Sequence, residues 1–133
     1  MSQFFQIHPE NPQARLVKQA VEIIQKGGLA VLPTDCAYVL VCHIGDKSAM
    51  DRMRSLRQLS EKHNYTLLCR DLSELSNYAK VDNATYRQLK QHTPGAFTFI
   101  LNATKEVPKR LIQPKKKTIG MRIPDNAILL AIL

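Results

Sequence analysis

With 19 Lys and Arg against 11 Asp and Glu in 133 residues, the chain carries a net charge of +8 and a sequence pI near 9.6. Its length suits one domain, 1–133 with a core from about residue 14, and excludes most two-domain enzymes; 44% apolar and 23% charged residues are the composition of a folded chain, not a disordered one. No run reaches the roughly 18 apolar residues of a membrane span, and the opening MSQFFQIHPE lacks the basic start and apolar run of a signal peptide, so the expected location is the cytoplasm.

Asn11-Pro12 ahead of Leu16, Val17, Ala20, Val21 and Ile24 predicts a capped helix that ends at Gly27-Gly28. Residues 29–33 (LAVLP) read as a short buried strand and, after a turn at Thr34-Asp35, residues 36–43 (CAYVLVCH) as another. Asp46 caps a helix bearing Met50, Met53 and Leu56 that runs to about Arg57; residues 58–64 are a polar loop and 66–69 a buried strand. Asp71 and Glu74, three residues on, form a capping box for a short helix. A further helix spans Asn83 to His92 and stops at Thr93-Pro94-Gly95. Residues 97–101 and 118–123 are the last strands, the second closed by Pro124. Helices alternating with short buried strands predict an α/β fold, a twisted mixed sheet with helices packed on it. After Pro124-Asp125-Asn126 comes AILLAIL, a helix apolar on every side, which expects more protein to pack against. The C-terminal portion of the domain is therefore expected to be missing from this chain.

The charge is local. Divided after Thr66, the first half has 8 basic and 6 acidic residues and the second 11 and 5, a net of +2 against +6. Lys105, Lys109, Arg110, Lys115, Lys116, Lys117 and Arg122, offset only by Glu106, account for the whole +6. Such a cluster suits a polyanion, whose counterions are released on binding, or serves as a solvated loop; no aromatic residue lies between Phe99 and the C-terminus, so the cluster contains no base-stacking platform.

Phosphate-binding glycine loops, HExxH and nucleophile elbows are absent from the sequence. Residues 33–40 (PTDCAYVL) place Thr34, Asp35, Cys36 and Tyr38 at a strand end, where α/β sheets hold ligands, although Pro-Thr-Asp is also plain turn chemistry. Arg57 closes a helix, where an arginine can grip a phosphate or simply complement the helix dipole. Arg122 interrupts an apolar strand and so requires an anionic partner, either a ligand carboxylate or phosphate or a protein group such as Asp35. Cys36, Cys42 and Cys69 follow no metal or disulfide spacing and read as free thiols, with no metal site and no base to make Cys36 a nucleophile.

PTDCAYVL, RSLRQL, HNYTLLCRDLSEL, TPGAFTFIL and TIGMRIPDN, in that order, resemble the YrdC-like family, and most closely its YciO branch. The resemblance implies a twisted α/β sheet with a basic concave face that binds double-stranded RNA and tRNA. It also implies nucleotide chemistry, since catalytic members join L-threonine, bicarbonate and ATP into L-threonylcarbamoyladenylate, the donor for threonylcarbamoyladenosine in tRNA. By this resemblance Arg57 and Thr118 fall at nucleotide-binding positions, and Cys36, Tyr38, Cys69 and Arg122 at threonine-binding ones. Cys36 stands where the family usually has Thr, Val39 where it has Gly, Cys69 where synthases have His, and Gln58 where Pro usually follows the arginine. The family's Ser-x-Asn nucleotide segment lies beyond Leu133. Together these imply an RNA-binding protein with weak or absent synthase activity; the alternative is an ATP-dependent synthase, with ATP and Mg²⁺, completed by a longer native chain. Lys105, Lys109, Arg110, Lys115, Lys116 and Lys117 are the expected RNA contacts.

Overall fold

The computed structural model describes residues 2–133. In chain order the elements are α1 (Ala14–Gln25), β1 (Ala30–Leu32), β2 (Val39–Val41), α2 (Lys47–Leu56), β3 (Thr66–Leu68), α3 (Leu72–Tyr78), α4 (Asn83–His92), β4 (Phe99–Asn102), a 3₁₀ turn (Lys109–Leu111), β5 (Thr118–Arg122) and α5 (Ala127–Ile132). This is the mixed α/β class expected from the sequence. Contacts divide the chain into two compact units, one formed by the residues up to Gln58 with Asn126–Leu133, the other by Leu59–Asp125. No helix among the described residues is long and apolar enough to cross a membrane.

In the first unit the expected cap Asn11 does not cap α1. Its N–H and that of Glu10 both donate to His8 Nδ1, at 2.9 and 3.2 Å, and the helix starts two residues after Pro12 behind an uncapped Gln13. The apolar stripe of α1 packs against α5. At its other end, Gly28 N–H donates to Ile23 O and Gly27 N–H to Ile24 O, the paired bonds of a Schellman close. Gly27 sits at φ 93°, a left-handed conformation that a Cβ disfavours. β1 and β2 pair antiparallel, with Ala30 opposite Val41 and Leu32 opposite Val39. Residues 36–38 of the longer predicted strand are lost to a turn. Asp46 caps α2 through Ala49 N–H, 2.9 Å away. α5 buries only Leu129 fully and leaves its other apolar residues half-covered or exposed.

In the second unit β5 runs through the middle of a three-stranded sheet ordered β3-β5-β4, parallel to β3 and antiparallel to β4. Ile119, Met121 and Ile123 alternate inward and are all buried, with Leu75 of α3, Leu89 of α4, Val107 and Leu111 completing the core. The capping box forms as predicted on one side: Asp71 accepts from Glu74 N–H at 2.8 Å, while Glu74 reaches back to Arg70 N–H rather than to that of Asp71. α4 is capped by Asp82, whose carboxylate accepts from Thr85 N–H at 2.7 Å; that bond holds the Asp82 carboxyl below its ordinary range. β4 starts two residues later than the predicted strand.

Candidate functional site

In the first unit, the Thr34 hydroxyl builds the turn that carries Cys36. It donates to Ala37 O and accepts from Cys36 N–H (3.1 Å) and Ala37 N–H (3.0 Å), and Thr34 N–H also donates to Ala37 O. This self-contained turn ends the extended run early and presents Cys36 and Tyr38 to solvent. Asn126 ties to it from far along the chain: its Oδ1 caps α5 at Leu129 N–H (3.1 Å), and its Nδ2 donates to Thr34 O (3.4 Å). Arg57 is the exposed C-cap of α2, followed by Gln58 at φ 53°. A proline cannot adopt that φ, so the family's usual residue at 58 is incompatible with this helix end.

The second unit carries Cys69, Thr118 and Arg122. The register places Thr66 and Ile100 opposite Gly120, Leu68 opposite Arg122 and Asn102 opposite Thr118, so these side chains share the sheet face away from Ile119 and Met121. At its centre Gly120 leaves a shallow cradle, where a Cβ would lie 3.0 Å from Thr66 Oγ1 and 3.5 Å from Thr98 Cγ2. The Thr66 hydroxyl and the Thr98 methyl thus flank a glycine on a face that also carries Thr118 and ends in Arg122, only 9% exposed. The sequence signal for Arg122 was its interruption of an apolar strand; Thr66, Thr98 and Gly120 gave none until the register was known. Cys69 N–H donates to Arg122 O at 2.9 Å, which brings those two positions together. Burial, reinforced by Glu74 and Asp71, pushes the Cys69 thiol up to about 12. At neutral pH it is a protonated, inert side chain.

Lys105, Lys109, Arg110, Lys115, Lys116 and Lys117 are all exposed on the connection between β4 and β5. This is not a slack loop. Val107 and Leu111 are buried anchors, and the tip closes on itself: Lys117 N–H donates to Gln113 O (2.8 Å), Gln113 N–H to Thr118 O (2.9 Å), Lys116 N–H to Gln113 Oε1 (2.6 Å) and Ala103 N–H to Lys117 O (2.9 Å). Lys117 is held left-handed at φ 58°. No group of three or more His, Cys, Asp or Glu among the described residues is placed to hold a metal.

The profile of the Sua5/YciO/YrdC family, described as telomere recombination, matches residues 22–133. The chain belongs to this family. Within it, an uncharacterized protein of Haemophilus influenzae is 64% identical over all 133 residues, and YciO of Escherichia coli K12 is 62% identical. The chain spans 64% and 65% of the length of these two relatives. The crystal structure of E. coli YciO superposes with a TM-score of 0.94, covering 100% of this chain and 65% of that one. A threonylcarbamoyl-AMP synthase of Nitrosococcus oceani is 31% identical over 113 residues, 84% of this chain and 60% of the synthase. The YciO-type sheet and its helices are therefore the fold of this chain.

Proposed function

We propose that this chain is a YciO-type RNA-binding domain related to tRNA threonylcarbamoyladenosine metabolism, with weak or absent synthase activity. The observation that carries the reading is the pinned basic loop: six exposed cations against the single Glu106, displayed by a backbone closed through Gln113. Ordering those cations before binding lowers the entropy lost on meeting a phosphate backbone. Weak synthase chemistry follows from Cys69, since a buried thiol at about 12 supplies neither the charge nor the acceptor of an imidazole at neutral pH. The test is tRNA affinity over a salt series for wild type and for Lys115, Lys116 and Lys117 changed together to Ala. The variant's salt slope should be shallower by about 2 to 3, roughly one per lost phosphate contact; an unchanged slope refutes the reading.

A second reading, an ATP-dependent L-threonylcarbamoyladenylate synthase within a longer protein, is favoured by the sheet face around Gly120, which carries the Thr66 hydroxyl and Thr118 and ends in Arg122. Hydroxyls and a guanidinium suit phosphate and carboxylate oxygens; Thr118 and Arg122 would hold ATP and threonine, with Mg²⁺ arriving on the triphosphate. Pyrophosphate release from ATP, threonine and bicarbonate, abolished by Arg122→Ala, would establish this reading over the first.

A further inference from the structure

From Asn83 to Lys105 the chain contains no Asp or Glu, and it carries Arg87, Lys90, His92 and Lys105. Within that acid-free stretch the Phe97 ring is 55% exposed and lies beside two other rings. Its centroid lies 5.2 Å from the His92 ring at the end of α4 and 6.4 Å from Phe99 at the start of β4, both tilted. Its Cδ2 rests 3.7 Å from where a Cβ would project at Gly95. An exposed apolar ring costs solubility, and one packed beside two other rings has less rotamer freedom left for binding to remove.

We propose that Phe97, flanked by His92 and Phe99, is a stacking platform for an unpaired RNA base. The inference rests on the RNA reading above and sharpens it. The basic loop joins the far end of β4, about 17 Å from Phe97 at strand rise. A partner that pairs phosphates with the loop and a base with Phe97 must therefore combine a backbone run with an unstacked nucleotide. Charge complementarity points the same way, because the second unit holds 12 basic and 6 acidic residues, a net of +6. The expected ligand is a stem-loop or single strand, with a blunt duplex using the lysines alone.

The chain has no tryptophan, so Phe97→Trp installs a single reporter. Its fluorescence should be quenched by a stem-loop RNA and remain unquenched by a blunt duplex of the same stem. Phe97→Ala and Phe97→Leu should weaken stem-loop binding roughly 5- to 100-fold, the range one base stack carries, with an unchanged salt slope and unchanged duplex binding. Leu keeps the apolar bulk without a flat π-face, and an exposed position tolerates both variants. Wild-type stem-loop affinity in Phe97→Ala, or an unquenched Trp at saturation, overturns the platform while leaving the RNA reading intact, provided the triple-lysine variant still alters the slope. Absence of binding to every RNA at low salt overturns both.

Discussion

Lys117→Gly should make the protein more stable and a poorer RNA binder at once. Lys117 sits at φ 58° in a tip closed by backbone bonds, so glycine preserves every one of them. A non-glycine residue pays about 1–2 kcal/mol in the left-handed region, against about 0.5–1 kcal/mol of extra chain entropy that glycine loses on folding. The difference is about 0.5–1 kcal/mol in favour of the variant. For a chain of this size that raises Tm by roughly 1–4 °C, readable by thermal melting and, more cleanly, as a higher urea midpoint at unchanged slope. On tRNA the same variant removes one cation, so its salt slope should fall by about 0.9. Lys116→Gly is the control, since Lys116 has no positive φ and its substitution removes a charge with no strain to relieve. A cooperative transition in which Lys117→Gly is no more stable than wild type would refute the argument that the loop holds this lysine against its conformational preference.

Gln58→Pro should destabilise by about 3 kcal/mol or more, because proline cannot reach φ 53° and removes the Gln58 N–H that donates to Ser55 O; urea unfolding beside a Gln58→Gly variant, expected to be slightly stabilised, checks it. The Cys69 thiol titrates near 12 in the folded chain against 9.0 ordinarily. Below pH 9 both states keep the proton and nothing changes. Between 9 and 12 the unfolded chain releases it first, so stability falls with rising pH by up to about 1.4 kcal/mol per unit. Urea midpoints at pH 8 and pH 10.5 should diverge more for wild type than for Cys69→Ala, and equal divergence would refute the assignment. At pH 8 a thiol reagent should modify exposed Cys36 in the folded protein and reach Cys69 only after denaturant is added.

Helix starts were the most legible part of the fold. Asp46 and Asp71 each accept the N–H three residues on, and Asn126 does the same for α5, a pattern that short polar side chains before apolar runs reveal locally; the start of α4 was read without naming its cap, Asp82. Asn11 misled because the helix starts later, at Ala14, which leaves Gln13 rather than Asn11 at the cap position. Strand ends were harder to read: Thr34 spends its hydroxyl on a turn that truncates β2, and no periodicity reports such a bond. Sheet order was hidden as well, since β3 meets β5 across 49 residues of intervening chain. For the same reason Arg122 was visible as an anomaly in its own strand, whereas Thr66 and Gly120 became neighbours only through pairing. The left-handed Lys117 had no signal, because lysine is not the residue that conformation selects.

Asn126 makes the order of synthesis matter. Its two bonds reach Leu129 and Thr34, and the unit it completes is interrupted by the whole of residues 59–125. On a ribosome adding about 5–20 residues per second, α1 and the β1–β2 hairpin would wait several seconds for α5. By the end of that interval the second unit has its full complement of strands, while the apolar stripe of α1 still lies uncovered by its eventual partner. The nascent chain is thus most exposed to chaperones and to aggregation just before Asn126–Leu133 emerge.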